Sequence, residues 1–269
     1  MSVLLSTEVN SDNIVLSEPK TGKVGGLKSS RIRYNLEGKE GRFFLQTGKK
    51  MRIPFGISNN EKYGDGTKWE VQFSFQDEER SPSVQNFHSA LDKINAKVMA
   101  TVQEQSKELF GKEYSEEMLM EFFKNSIKQA KDPKYAPTFR VQVPFKGDKP
   151  LFTVYDEKEQ EMDWTQVEKG SNCTAVVEAA QVWLSSGTKQ FGITWRLLQM
   201  QVFKSEQIKG FQIRKETQDI EDESDDDDDD DDEEEEEFAG PTADGVADLV
   251  LRSSSPFSPV VRSFLNLIH

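Results

Sequence analysis

The stretch Trp69-Glu70-Val71-Gln72-Phe73-Ser74-Phe75-Gln76 alternates strictly between apolar and polar side chains. Side chains of a β-strand point to opposite faces with a period of two, so this pattern predicts a strand that buries one face. Related patterns lie on both sides of it along the chain. We predict further strands at residues 42–46, 51–58, 139–143, 151–155, 174–184 and 191–203, and a short first or edge strand at residues 14–16.

Between the two groups of strands the apolar period changes to that of an amphipathic helix. The first helical stripe has spacings of four, three and four and comprises Phe87, Leu91, Ile94 and Val98. The second follows Ser115, a favourable N-cap, and comprises Leu119, Phe122, Phe123 and Ile127. The order of strands, a helical insertion at about residues 83–130 and further strands predicts a mainly β domain, an antiparallel barrel or sandwich with an inserted helical pair. The pattern does not fit alternating βα units with a parallel sheet.

Charge divides the chain into three segments. Residues 1–216 carry 32 Lys and Arg against 29 Asp and Glu, residues 217–238 carry 17 acids and no base, and residues 239–269 carry two of each. Because its acids repel one another and it cannot bury apolar surface, the segment 217–238 is predicted to be a disordered acidic tail. We expect residues 239–269 to be an unstructured C-terminal extension, with a short partner-binding helix as the alternative. The overall pI of about 4.8 therefore conceals a mildly basic body.

Few residues suit catalysis. The chain has two histidines, His88 and His269, and one cysteine, Cys173, which nearly excludes a His/Cys zinc site or a Cys–His nucleophile pair. We therefore expect no catalytic residue, cofactor or bound metal, although a nuclease that uses only carboxylates and a metal stays open. The single cysteine and the lack of an apolar run of about 18 residues predict an intracellular protein in a reducing compartment, outside the membrane.

A mildly basic β domain can bind nucleic acid if its cations gather along one groove that also presents aromatic rings. Stacking candidates are aromatic residues on the polar side of a strand: Phe44 lies with Arg42 and Gln46, and Tyr155 lies with Thr153. Trp195 and Arg196 lie on a strand that is apolar on both faces. The candidate nucleic-acid contacts are Arg42, Phe44, Lys49, Lys50, Arg52, Lys68, Arg140, Tyr155, Trp195 and Arg196. Taken singly, every one of these cations is equally consistent with a solvated surface charge.

The acidic tail predicts a second property. A tethered polyanion has an effective concentration of about a millimolar at a basic groove on its own domain. We expect it to compete with DNA for that groove and, once displaced, to recruit basic surfaces of other proteins. Residues assigned to this role are Asp225, Asp232, Glu233, Glu237 and Phe238. A tail that only confers solubility and an acidic-tailed histone chaperone are the alternatives.

Three motifs carry a family resemblance. They are Ile53-Pro54-Phe55-Gly56-Ile57-Ser58, Phe110-Gly111-Lys112-Glu113-Tyr114-Ser115 and Phe191-Gly192-Ile193-Thr194-Trp195-Arg196-Leu197-Leu198-Gln199. In this order, and followed by an acidic tail that reaches Phe238, they resemble the single-stranded DNA-binding proteins of nucleocytoplasmic large DNA viruses. The chain differs from that pattern because it continues for 31 residues beyond Phe238.

That family is similar to the phage T7-type single-stranded DNA-binding protein. The resemblance implies an OB-like antiparallel β-barrel and non-specific binding of single-stranded DNA in replication, recombination and repair. It also implies DNA polymerase, helicase or primase as partners of the tail. A nuclear location or a cytoplasmic viral replication site would follow, and a homodimer stays open.

Overall fold

A computed structural model describes residues 2–22, 27–59 and 68–203, and the described part is mainly β-structure with few helices. The chain divides into the units Met1–Phe211 and Gln212–His269, and every described residue belongs to the first. The acidic segment 217–238 and the extension 239–269 lie outside the described residues. The helices that the structure describes are α1 (Pro82–Glu104), α2 (Ser106–Phe110) and α3 (Glu116–Phe122).

The strands that the structure describes are β1 (Val3–Leu4), β2 (Ile14–Leu16), β3 (Lys20–Thr21), β4 (Leu27–Leu36), β5 (Lys39–Arg42), β6 (Phe44–Gln46), β7 (Met51–Arg52), β8 (Ile57–Asn59), β9 (Trp69–Ser74), β10 (Phe123–Lys124), β11 (Ile127–Lys128), β12 (Thr138–Val143), β13 (Phe145–Lys146), β14 (Lys149–Pro150), β15 (Thr153–Tyr155), β16 (Glu161–Met162), β17 (Asn172–Ser185) and β18 (Gln190–Phe203).

Five strands pair in a closed ring, in the order β17, β7, β9, β12, β18 and back to β17. The hairpin of β17 and β18, two strands of 14 residues each, is the longest part of this ring. Strand β9 is antiparallel to β12 over six residue pairs. Four of their apolar side chains, Val71, Phe73, Phe139 and Val141, are completely buried.

Half-buried and buried side chains alternate along β17 from Asn172 to Val177. Cys173, Ala175, Val177 and Ala179 are at most 2% exposed, whereas the residues between Asn172 and Val176 on the other face are partly exposed. The period of two therefore buries one face of the hairpin and leaves the other towards solvent. Two register shifts, at Val176/Val177 and Ala179/Gln181, interrupt the pairing with β18. Beyond the second shift the buried positions become Val182 and Leu184, which preserves the same buried face.

The first helical prediction is confirmed, because α1 buries Phe87, Leu91, Ile94 and Val98 at 1% exposure or less. The second prediction is wrong at its end. Helix α3 begins after Ser115 as expected, but it stops at Phe122. Phe123 instead pairs with Phe191 of β18, and Ile127 pairs with Phe139 of β12. Backbone pairing with distant strands overrides the helical period there, so the insertion contains three helices and two short strands.

The strand predictions need three corrections. The ten-residue strand β4 lies in the region 1–41, for which only the edge strand at residues 14–16 was predicted. The predicted strand 51–58 is divided by a turn at Pro54 and Phe55, where Gly56 takes a positive φ of 63°. The predicted strand 42–46 is interrupted at Phe43, between β5 and β6.

The sheet is mixed, which corrects the prediction of a purely antiparallel one. Strand β1 is parallel to β6, and β10, β12 and β15 are all parallel to β18. Parallel neighbours need long crossover connections, which residues 5–43 supply between β1 and β6 and residues 156–189 supply between β15 and β18. Within the described residues, no helix combines the length and apolar character that crossing a membrane requires.

Candidate nucleic-acid interface

The hairpin of β17 and β18 turns one face away from the interior of the ring, here called the hairpin face, and three of its residues, Glu178, Gly192 and Thr194, are themselves buried. Opposite it, the buried side chains of β18 run from Phe191 through Trp195 to Val202. On β18 the hairpin face consists of Gln190, Gly192, Thr194, Arg196, Gln199, Gln201 and Phe203. On β17 it consists of Asn172, Thr174, Val176, Glu178, Gln181, Trp183 and Ser185. With 14 residues per strand the face is about 45 Å long.

Cationic side chains lie along the hairpin face from Asn172 to Gln181. Arg196 projects from β18, and the other cations come from β4, β5 and β7. Arg31 of β4 is the register partner of Gln181, Arg33 is the partner of Arg42, and Arg52 of β7 is the partner of Asn172. Because register partners point to the same side of a sheet, these guanidinium groups share one surface. The two hairpin strands contain a single acid, Glu178.

Glu178 is held by Arg42. The Nε and Nη2 atoms of Arg42 donate to the two carboxylate oxygens at 2.7 and 2.6 Å, and Glu178 is only 6% exposed. The hydrogen bond to Glu178 raises the pKa of Arg42, and the charge of Glu178 adds to this, while partial burial opposes it. Arg42 therefore stays protonated and fixed in one orientation.

The same guanidinium lies 5.0 Å from the ring centroid of Phe44. Phe44 is 5% exposed beneath it, so this ring is closed to a nucleobase. The expectation that Phe44 offers a stacking surface is thus wrong, because the long side chain of Arg42 covers the polar side of the strand at that point.

Arg196 is the register partner of Glu178 on one side and of Gln142 on the other. Both oxygens of Glu178 already accept hydrogen bonds from Arg42. In the part of the chain that the structure describes, Arg196 makes no ion pair and is exposed. Its charge is consequently available to an anion from solvent.

Three half-buried aromatic rings lie on or beside the hairpin face: Trp183, Phe203 and Tyr155. Trp183 lies against Gly192, where a Cβ would come within 3.1 Å of the indole and 2.7 Å of the carbonyl oxygen of Lys124. Gly192 therefore leaves the space that lets this large ring rest on the strand. Tyr155 is the register partner of Gln201 on the edge of β18.

Phe203 lies at the opposite end of the hairpin face, and the Lys50 ammonium lies 4.7 Å from its ring centroid. Lys50 has a φ of +52°, a left-handed conformation that costs a side chain other than glycine about 1 kcal/mol or more. Its backbone N–H donates to the Thr174 hydroxyl at 3.0 Å, which ties this turn to β17.

Five of the ten predicted contacts meet on this surface: Arg42, Lys50, Arg52, Tyr155 and Arg196. Three others lie elsewhere. Lys49 is exposed in the turn whose backbone N–H donates to Ser83, Lys68 precedes β9, and Arg140 lies on β12 with its Nε 2.6 Å from a Glu70 oxygen.

Trp195 is the clearest correction beside Phe44. It is 2% exposed inside the ring and packs edge-to-face on Phe139 at 5.2 Å. Its position between Thr194 and Arg196 on β18 turns it away from the hairpin face, because neighbouring side chains of a strand point to opposite sides.

Sequence reasoning missed four residues of this surface: Arg31, Arg33, Trp183 and Phe203. A signal for all of them was present. Arg31 and Arg33 alternate with buried Ser30, Ile32 and Tyr34, and the two rings lie on the polar sides of their strands, like the candidates that were chosen. The residues assigned to the tail role, Asp225, Asp232, Glu233, Glu237 and Phe238, lie outside the described residues.

The described residues hold no group of three or more His, Cys, Asp or Glu side chains placed to bind a metal ion. Cys173 is completely buried, and this burial raises the pKa of its thiol. A buried thiol of raised pKa is a poor nucleophile.

A family model matches residues 74–213, and the chain belongs to this family, which is described as a family of unknown function, DUF5871. No curated protein matches the chain. Among solved structures, the chain is similar to gp2.5, a single-stranded DNA-binding protein encoded by bacteriophage T7, with 12% identity, a TM-score of 0.42, and coverage of 64% of this chain and 91% of the other.

The chain is also similar to the single-stranded DNA-binding protein from bacteriophage Enc34. In its complex with single-stranded DNA, that protein has 10% identity and a TM-score of 0.37, over 72% of this chain and 98% of the other. Without DNA it has 12% identity and a TM-score of 0.36, over 73% and 93%.

Proposed function

We propose that this chain is a non-enzymatic protein that binds single-stranded DNA on its hairpin face without sequence preference. The observation that carries the proposal is the run of cations along that face, Arg31, Arg33, Arg42, Arg196, Lys50 and Arg52, interleaved with half-buried Trp183, Phe203 and Tyr155. Cations along a groove neutralise phosphates, and rings stack bases of any identity.

Single strands suit this surface better than duplexes because its rings need unpaired bases. In a duplex the faces of the bases are stacked on one another and closed to protein side chains, so Trp183 and Phe203 would contribute nothing. The face of about 45 Å also has room for several nucleotides. We therefore expect binding to depend on both charge and unpaired bases.

The ring of five strands suits an OB-like barrel, and the three sequence motifs suit the viral single-stranded DNA-binding family. The proposal therefore includes an OB-like barrel, membership of that viral family, and a role in DNA replication, recombination and repair inside the cell. The acidic segment 217–238 would compete with DNA for the hairpin face and recruit replication proteins when DNA displaces it, because its 17 acids complement the cations there.

The test is fluorescence anisotropy with labelled single- and double-stranded oligonucleotides at several salt concentrations, using the full chain. A variant Arg31→Gln/Arg196→Gln removes two cations from the hairpin face. A matched control, Lys93→Gln/Lys97→Gln, removes two cations from α1. The first variant should bind single strands more weakly than the parent. The slope of its log affinity against log salt should be smaller in magnitude by about 1.4, which corresponds to two lost phosphate contacts. The control should keep the affinity and the slope of the parent.

The tail is tested separately by replacing its Asp and Glu residues with Asn and Gln at unchanged length. This change should tighten binding of single strands, most strongly at low salt. A parent chain that ignores single strands and binds histones would overturn the proposal and support the chaperone alternative. Cation-dependent cleavage of the oligonucleotide would instead indicate a nuclease.

A further inference from the structure

A row of register partners connects the hairpin face to a second basic region. Asn172 on the hairpin face pairs with Arg52, Arg52 pairs with Ser74, Ser74 pairs with Thr138, and Thr138 pairs with Lys128 of β11. Partners on adjacent strands are about 5 Å apart, so Lys128 lies about 15 Å from Arg52.

Between these two cations the residues of the row have small, uncharged side chains. Ser74 is 8% exposed, Thr138 is half-buried, and the Thr138 hydroxyl donates to the Gln72 side chain at 3.0 Å. The nearest acid on β9, Glu70, is bound by Arg140. A polyanion that crosses this row therefore meets small polar groups and no unpaired carboxylate of β9.

Beyond the row lies the segment that we call the lysine patch, Lys128, Lys131, Lys134 and Tyr135. Lys128 and Lys131 are exposed and form no ion pair with any residue that the structure describes. Lys134 pairs with Asp132 at 3.0 Å, and its ammonium lies 4.9 Å from the ring centroid of Tyr135. Two of the three lysines thus have no carboxylate partner among the described residues.

Tyr135 has the most exposed large ring among the described residues, at 62%. Its segment is ordered by Asp132, whose side chain accepts from the Lys134 N–H and whose carbonyl accepts from the Tyr135 N–H, both at 3.1 Å. A ring that is exposed and yet held on a preformed turn loses little conformational entropy when a planar group stacks on it.

We propose that the lysine patch is a second contact site for the same nucleic-acid strand. The strand would leave the hairpin face at Arg52, cross Ser74 and Thr138, and place phosphates on Lys128 and Lys131 and a base on Tyr135. This inference rests on the proposed function but adds a site outside the hairpin face. The exposed ring favours a nucleic acid over an acidic peptide, since a peptide of Asp and Glu offers no planar base to stack.

The site predicts a dependence on the length of the oligonucleotide. Anisotropy is measured for the full chain with oligothymidylates of roughly 4 and roughly 16 nucleotides, the extremes of what one OB fold binds. The variants are Lys128→Gln/Lys131→Gln and Tyr135→Ala, both on exposed side chains where the fold is not at risk. Lys93→Gln/Lys97→Gln on α1 is the control of equal charge.

With the long oligonucleotide, the double lysine variant should lower the salt slope by about 1.4 and the affinity at 0.1 M salt by about 25-fold. Tyr135→Ala should lower the affinity by about fivefold or more without a change of slope. The short oligonucleotide, which binds on the hairpin face, should be affected less than twofold. A long oligonucleotide that carries 5-iodouracil at one end should cross-link to Tyr135 under ultraviolet light.

Unchanged long-strand affinity in both variants, with normal binding by the parent, would overturn this site and leave the proposed function intact. An equal loss of affinity for the short and the long oligonucleotide would show that the lysine patch is not a separate site. Tighter binding by the lysine variant would show that the patch holds the acidic tail instead. Failure of the parent to bind single strands at all would be a failure of the proposed function itself.

Discussion

Substitution of Arg196 by glutamine gives the sharpest test of the hairpin face. This guanidinium is exposed and makes no ion pair within the described residues, because Glu178 beside it is bound by Arg42. Removing it should therefore change the free energy of unfolding by no more than about 0.5 kcal/mol. Any effect on binding then reports the lost contact rather than a damaged fold.

The size of the effect follows from counterion release. One lost phosphate contact lowers the slope of log affinity against log salt by about 0.7 for a single strand. The ratio of parent to Arg196→Gln affinity should then be about 15 at 0.02 M salt, about 5 at 0.1 M and about 2 at 0.4 M. The change of this ratio with salt is a stronger signature than the loss at any one concentration.

Anisotropy titrations at these three salt concentrations measure the ratio directly, with urea denaturation as the check on stability. Arg80→Gln, at the exposed end of the short helical turn before α1, is the matched control and should give a ratio near one throughout. If Arg196→Gln gives a ratio that is independent of salt, or behaves like Arg80→Gln, then no phosphate lies at Arg196 and the hairpin face is not the binding surface.

Three further outcomes are expected. Trp183→Leu should weaken single-strand binding by about 1 to 3 kcal/mol with an unchanged salt slope, since a ring and no charge is lost; a smaller slope in titrations would argue against stacking. Glu178→Gln should lower stability in urea by about 1 kcal/mol, a value kept small because the Arg42 side chain is 41% exposed; strict additivity with Arg42→Gln would show that the pair is not coupled. Burial raises the pKa of Cys173, so the folded chain keeps a thiol proton that the unfolded chain loses above pH 8.5 or so. Stability should thus fall with rising pH by up to about 1.4 kcal/mol per unit more in the parent than in Cys173→Ala; parallel curves from denaturation at pH 8 to 10 would contradict this.

Local periodicity was enough to predict the elements that carry their own pattern. The period of two along Trp69 to Phe75 and the stripe from Phe87 to Val98 arise from side-chain directions within one strand or one helix. Neither needed knowledge of what it packs against, and the helical stripe and the strand residues Val71, Phe73 and Phe75 are buried as expected, whereas Trp69 is half-buried. The end of α3 was mispredicted because Phe123 and Ile127 are recruited by β18 and β12, which follow later in the chain.

The candidate site was harder to predict for a related reason. The rule that aromatic residues on the polar side of a strand are exposed selected Phe44, yet the guanidinium of Arg42 covers that ring. The same rule would have selected Trp183, whose exposure depends on the missing side chain of Gly192 across the hairpin. Whether a ring is covered or free depends on neighbours in other strands, and one strand's pattern does not contain them.

The sequence by itself determined the mainly β character, the helical insertion, the mildly basic body and the segregation of acids into residues 217–238, since these follow from composition and local period. Only the tertiary structure decided that Arg31, Arg52 and Arg196 share one surface and that Trp195 is buried inside the ring of strands. Register between strands far apart in the chain sets which charges become neighbours. That register is set by the burial of the apolar side chains of all the ring strands together, and no single segment provides this free energy alone.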